Sequence, residues 1–244
     1  KYDANGGTGA PANQSFVYNS GAKISTTKPT KTGYTFVNWK YGDITFDPGD
    51  AVPTGWGDFT LQAQWTVNSY YYDVNPDSGI ASFDISGAVN SGTGLTDYYT
   101  QNPYGQEITI TNVKAKTGYT YTGYTLSGSL TALSGSTNTT IKTKLGAGSG
   151  AIALNSKINS YTVTYDKNGG SSVSKASASV NYNSAIDLTP TASKSGYEFI
   201  GWNTNKNATT VLSSLKMGTS NVTLYAIYKK IVTVPTNSLC TNPT

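Results

Sequence analysis

The 244 residues carry 17 basic and 13 acidic side chains, a net charge of +4, with 36% hydrophobic and 12% aromatic residues. Every basic residue is a lysine and histidine is absent, which excludes Ser-His-Asp and Cys-His catalysis and removes the arginine contacts that nucleic-acid readers use. The lysines are scattered, so no nucleic-acid partner is expected, and the single Cys240 has no other thiol or imidazole with which to staple a domain or hold zinc.

Ser, Thr, Gly, Asn and Tyr dominate, and no run of a dozen residues shows an apolar face at helical spacing, so the chain reads as mainly β. No stretch has the length and apolar character of a membrane span, so membrane insertion by this segment is not expected. Tyr2-Asp3 leads into Asn5-Gly6-Gly7, residues that accept positive φ, and predicts a strand folding back at a tight hairpin turn. Lys31-Thr-Gly-Tyr-Thr-Phe-Val-Asn-Trp39 predicts a break at Gly33 and then a central strand. With strict period two, Tyr34, Phe36 and Asn38 share one face, and Val37 and Trp39 the other. Phe59, Leu61, Ala63 and Trp65 alternate with Thr60, Gln62 and Gln64, the pattern of a closing strand with one wet face.

The same phrases return. Tyr2 and Tyr165, Asn5 and Asn168, Gly33 and Gly196, Trp39 and Trp202, and Leu61 and Leu224 are each 163 positions apart, and Tyr18-Asn19-Ser20 matches Tyr182-Asn183-Ser184 at 164. Between them lies a degenerate copy with Tyr72-Asp73-Val74-Asn75, Gly118-Tyr119 and Tyr124. Asn75 to Gly118 spans 43 positions against 28 from Asn5 to Gly33, so about 15 additional residues are expected around Ser78 to Gly105, on the surface. Ala151-Ile152-Ala153-Leu154 is the candidate closing strand of this copy. The organisation predicted is a module over 1–66, a degenerate module with an insertion over 67–157, a module over 158–230, and a tail or donor strand over 231–244.

Tyr-Asp-x-Asn-Gly-Gly, Lys-Thr/Ser-Gly-Tyr-x-Phe-x-x-Trp and the closing Thr-Leu-x-Ala strand resemble the Listeria-Bacteroides repeat family, of which the B repeats of internalins are members. The resemblance covers roughly residues 1–66 and 158–230. It implies small β-grasp-like modules in bacterial surface or secreted proteins, serving as non-enzymatic stalks or adhesive arms. It supplies no catalytic residues and implies no cofactor.

The residues themselves suggest several sites. Tyr41 and Trp56 lie in a loop peculiar to the first copy and are the ligand-binding candidates, for a protein or glycan on a host or neighbouring cell. Trp39 and Trp202 recur at equivalent places and are expected in the core. Asp43, Asp47, Asp50 and Asp58 cluster within Gly42–Asp58 as weak calcium candidates, against the plainer reading of turn-forming aspartates on a solvated loop. Finally, the first copy begins with little opening strand, at Lys1 and Tyr2, whereas Ile231, Val232, Thr233 and Val234 follow the last closing strand. That asymmetry motivates a head-to-tail fibre in which this tail adds a strand to another copy of the chain.

Overall fold

Every stretch that opens with a Tyr-Asp pair forms a strand lying parallel to the strand that closes the same module. In the computed structural model, which describes residues 1–88, 92–94 and 98–233, the first module holds β1 (Tyr2–Asp3), β2 (Tyr34–Tyr41), β3 (Ile44–Phe46) and β4 (Leu61–Val67), in the sheet order β1-β4-β2-β3. The middle module holds β5 (Ser69–Pro76), β6 (Ile80–Ser86), β7 (Gly92–Gly94), β8 (Tyr98–Pro103), β9 (Glu107–Ala115), β10 (Tyr119–Ala132) and β11 (Thr140–Ile158), ordered β7-β6-β9-β11-β5-β8 with β10 also on β11. The third holds β12 (Ser160–Asp166), β13 (Ser172–Val173), β14 (Ser177–Asn181), β15 (Ala192–Ser193), β16 (Tyr197–Asn203) and β17 (Val222–Lys230). Its main sheet runs β14-β12-β17-β16. The described residues contain no helix. Tyr2 pairs with Leu61, Tyr72 with Gly150 and Tyr165 with Leu224, all in parallel register.

By its contacts the chain forms two compact units: Lys1–Ala115 with Tyr121–Ser156, and Lys116–Thr120 with the residues from Lys157 on. The first and middle modules therefore share a unit, although each has its own hydrophobic cluster.

The Tyr-Asp-x-Asn-Gly-Gly motif now has a physical account. Asn5 and Gly6 both have positive φ, as do Asn168 and Gly169, and the Gly7 and Gly170 amides donate to the Ala4 and Lys167 carbonyls at 3.0 and 2.8 Å, closing a type I′ turn. The Asn5 and Asn168 side chains donate to the Ala63 and Ala226 carbonyls, each at 3.0 Å, tying the turn to the closing strand. The final glycine answers a close approach: a Cβ on Gly7 would fall 2.6 Å from the Trp65 ring, and one on Gly170 2.2 Å from the Tyr228 hydroxyl. The expected turn is present but the tight hairpin is not. β1 pairs only with β4, and the antiparallel partner of β12 is reached after a longer excursion, at Ser177.

Strict alternation fails in the Gly-Tyr-x-Phe-x-x-Trp strands, because a register shift interrupts β2 between Phe36 and Trp39 and β16 between Phe199 and Gly201. The bulge turns Phe and Trp to the same side, where their rings meet edge-on at 5.2 Å in both modules, and leaves Val37 48% exposed. Trp39 and Trp202 are the buried centres of their clusters, as expected. β2 is an inner strand, whereas β16 lies at the edge of its sheet. β4 follows its predicted alternation, burying Leu61 and Ala63.

The middle module overturns the expectation of a surface insertion. Residues within it form β6, and Ile80, Phe83 and Ile85 are buried with Ile108, Ile110, Ile141, Ile152 and Leu154. The reason is compositional: this module contains no tryptophan, so the inserted strand supplies the apolar bulk that Trp39 and Trp202 provide elsewhere. Its closing strand does contain Ala151–Leu154, within β11 and parallel to β5. The Asn clamp is replaced by Asp77, whose carboxylate accepts from the Ser156 amide, from the Ser156 hydroxyl at 2.5 Å and from the Gly79 amide at 2.9 Å. Burial pushes the Asp77 carboxyl up, but these hydrogen bonds outweigh it and hold the group below its ordinary value.

Two outcomes follow. Phe83→Ala is expected to cost about 3–5 kcal/mol in urea unfolding, as for a fully buried aromatic; a cost under about 1 kcal/mol would return the insertion to the surface. Because the folded-state pKa of Asp77 is depressed, its contribution is present above the unfolded value of about 4 and is lost as pH falls through the lower folded value. Asp77→Asn should thus destabilise the chain at neutral pH, and its deficit against wild type should shrink as the pH of the melt is lowered below about 4.

Candidate functional site

Tyr41 ends β2, the β2–β3 hairpin carries Phe46, and the following loop returns through Trp56 to Phe59 at the start of the closing strand. Four rings converge there. Trp56 stands edge-on to Tyr41 at 5.2 Å, to Phe46 at 5.5 Å and to Phe59 at 5.1 Å, and Tyr41 lies 5.9 Å from Phe59. Tyr41, Trp56, Gly57, Asp58 and Phe59 line an open depression of about 300 Å³. Tyr41 is 43% exposed, whereas Trp56 is half-buried against the core. The structure therefore brings the two predicted ligand-binding residues together on a platform with one wet and one anchored ring.

Sequence reasoning missed part of this surface. Phe16, from the polar stretch after the first turn, lies 6.0 Å from Phe59 and, with Gln14, Ser15 and Tyr18, continues the depression beyond Trp56. The aromatic pair Phe16 and Tyr18 in an otherwise polar segment was the available signal. The loop is pinned from below: the Ile24 amide donates to the Asp50 carbonyl at 2.8 Å and the Val52 amide to the Ala22 carbonyl at 2.8 Å.

The four aspartates do not make a metal centre. The Asp47 amide donates to the Asp50 carboxylate at 2.6 Å, which is turn chemistry, and Asp43 and Asp58 are not brought to it. Among the described residues no three acidic, cysteine or histidine side chains are gathered to hold an ion.

A second concavity, of about 870 Å³, runs past Gly6, Lys28, Lys31, Tyr34, Trp65 and Tyr104. Of its two lysines, Lys31 is occupied: its Nζ donates to the Asn5 carbonyl at 3.2 Å and stands 4.6 Å over the Tyr34 ring.

The assembly candidates fall in both units. The Lys1 ammonium donates to the Phe59 carbonyl at 2.8 Å, and Tyr2 is half-buried, its ring 5.0 Å from Trp39 and its hydroxyl donating to Gln14. β1 is therefore short but seated on β4. Ile231, Val232 and Thr233 are exposed and outside any strand, and Val234 lies outside the described residues.

The repeated motifs, the Trp-centred cores and the parallel pairing of first and last strands define a class of tandem all-β repeat module. The Listeria-Bacteroides repeat domain matches residues 1–64 and 161–227, more than half of the chain, and the chain belongs to that family. It is 28% identical over 199 residues to a "Putative Gly-rich membrane protein" of Evansella cellulosilytica, covering 79% of this chain and 20% of that one. It is 34% identical over 121 residues to internalin H of Listeria monocytogenes, covering 48% of this chain and 21% of that protein. A "Putative membrane protein" of Evansella cellulosilytica is 26% identical over 226 residues, covering 87% of this chain and 31% of its own. The chain thus spans less than a third of the length of these relatives. No solved structure matches it.

With Trp39 and Trp202 enclosed, quenching of tryptophan emission by acrylamide should act mainly on Trp56 and Trp65. Trp56→Phe is expected to remove the most quenchable component; an unchanged quenching curve would mean that the platform is closed.

Proposed function

We propose that this chain is a non-enzymatic part of a bacterial cell-surface protein, in which the repeat modules act as an adhesive arm or stalk outside the cell. Membership of the repeat family supports the surface reading, together with the names of the envelope proteins and the internalin to which the chain is similar. No helix among the described residues is long and apolar enough to cross a membrane. The observation that carries the adhesive part is the Tyr41–Trp56–Phe59 platform, because it decorates only one copy. The equivalent loop of the third module, residues 204–221, contains no aromatic residue, so the platform is an addition to the common framework. Exposed aromatic faces of this kind suit the apolar faces of sugar rings or an apolar protein side chain.

A second reading, an extracellular fibre subunit joined by strand donation, draws on the outer edge of β1, on which no strand of the described residues pairs, and on the exposed Ile231 and Val232. Filaments seen by electron microscopy that vanish with Ile231→Lys and Val232→Lys would favour it.

The adhesive reading is tested by binding of the purified chain to glycan arrays and host-cell surfaces. The double substitution Tyr41→Ala, Trp56→Ala should weaken binding at least about tenfold, or ~1.4 kcal/mol, without moving the melting temperature of the third module. Equal binding by the variant would remove the platform from the mechanism.

A further inference from the structure

The larger concavity of the first unit is built from two modules. Its floor is the half-buried pair Phe36 and Trp65, edge-on to one another at 5.8 Å, and one wall is Tyr104, which comes from the middle module. Trp65 rests on the core of the first module and its indole N–H already donates to the Ala4 carbonyl at 3.1 Å, so it offers the groove apolar surface and no further donor. Tyr104 is fixed by the hydrogen bonds that join the modules. The Asn68 amide donates to the Gly33 carbonyl at 2.9 Å, the Tyr104 amide to the Asn68 carbonyl at 2.8 Å, and the Thr35 hydroxyl to the Asn68 side chain at 2.6 Å. The ring lies so close over Gly33 that a Cβ there would fall 2.1 Å from it. Both modules belong to one compact unit, so this wall is set before anything enters.

The charge of the concavity has one sign. Lys28 is exposed, Lys31 stands 4.6 Å over Tyr34 and 5.8 Å over Trp65, and neither has a carboxylate partner among the described residues. No carboxylate lines the groove, whereas Thr8, Thr30 and Thr32 do. The third module shows which of these features belong to the common framework. It repeats the lysine over the aromatic rings, with Lys194 4.6 Å from Tyr197 and 5.4 Å from Tyr228, and the Ser171 amide donates to the Ser193 carbonyl as Thr8 does to Thr30. Thr191 and Glu198, however, stand 163 positions after Lys28 and Thr35. Two lysines and no carboxylate in the first module thus become one lysine and one carboxylate in the third, and the excess positive charge is no part of the framework.

We propose that this concavity is a binding site for a sugar ring bearing a carboxylate, with its charge at Lys28 and its apolar face against Trp65 and Tyr104. Its volume of about 870 Å³ lies within the range of about 300–1,000 Å³ that small-ligand sites occupy. One uncommitted ammonium suits one charge per ring, where a nucleic acid or another densely charged chain needs several. An acidic peptide would use the lysines and leave the aromatic floor unmatched, whereas a pyranose brings an apolar face to it and hydroxyls to the threonines. The site shares no residue with the Tyr41–Trp56 depression and does not rest on that platform.

Titration of the isotope-labelled whole chain with tri-galacturonate, its methyl ester and sialyllactose, followed by NMR, tests this. Tri-galacturonate or sialyllactose at about 1 mM should shift the amides of residues 28–36 and the Trp65 indole N–H. A response to the first alone assigns a uronate, and to the second alone a nonulosonate. Lys28→Gln, a change on an exposed side chain, should weaken that binding at least about fivefold and leave the rest of the spectrum in place. Added salt should weaken it in wild type, and Tyr41→Ala, Trp56→Ala should bind as wild type does, so that failure of the platform and failure of this site are told apart. Equal binding of the methyl ester, full affinity in Lys28→Gln, or no shift at about 10 mM sugar would overturn the proposal. So would hexaglutamate moving the same resonances as strongly as the sugars, since the lysines would then be attracting charge alone.

Discussion

Each module depends on one constraint: its first strand must lie parallel to its last. Parallel neighbours cannot be joined by a short turn, so the intervening chain has to return to the starting end before the closing strand can run. What secures that closure is a polar side chain at the opening turn reaching the closing strand. Asn5 and Asn168 use an amide hydrogen bonded to a strand carbonyl; Asp77 uses a carboxylate bonded to a strand amide and hydroxyl. The donor and acceptor are reversed, but the same two elements are held.

Around this clamp the modules fill their interiors differently. The outer two set Tyr2 edge-on to Trp39 and Tyr165 edge-on to Trp202 at 5.0 and 5.1 Å, with Phe36 and Phe199 against the same indoles. The Trp202 indole donates to the Pro190 carbonyl at 2.7 Å, satisfying its one polar atom. The middle module replaces the tryptophan centre by Tyr72 and Phe83 set among Ile and Leu across a wider sheet. A larger sheet is the geometric consequence: several aliphatic side chains on several strands are needed to exclude the water that one indole and its neighbours exclude elsewhere.

On the proposed reading, function resides in what is added to the framework. The Tyr41–Trp56–Phe59 platform is an addition at one end of a module, held by the core on which Trp56 rests. The platform needs no titrating group, which suits a chain without histidine.

The all-β class, the repeat, its landmarks and the burial of Trp39 and Trp202 were legible in the sequence, because turn residues and apolar alternation are local properties of the chain. So was the pairing of Tyr41 with Trp56, to the extent that both belong to one loop. The bulges at Phe36 and Phe199 were not, since a single unpaired residue flips a face without changing composition. Nor was the inward role of Ile80, Phe83 and Ile85: a short apolar strand between polar residues reads alike whether it covers a core or lies over it, and only the missing tryptophan of its neighbours decides. The parallel closure, the Asp77 clamp and the fit of Tyr104 on Gly33 join residues about 60 to 80 positions apart, and nothing local specifies them. Those contacts were decided by tertiary structure alone, because they exist only once the strands between them have been placed.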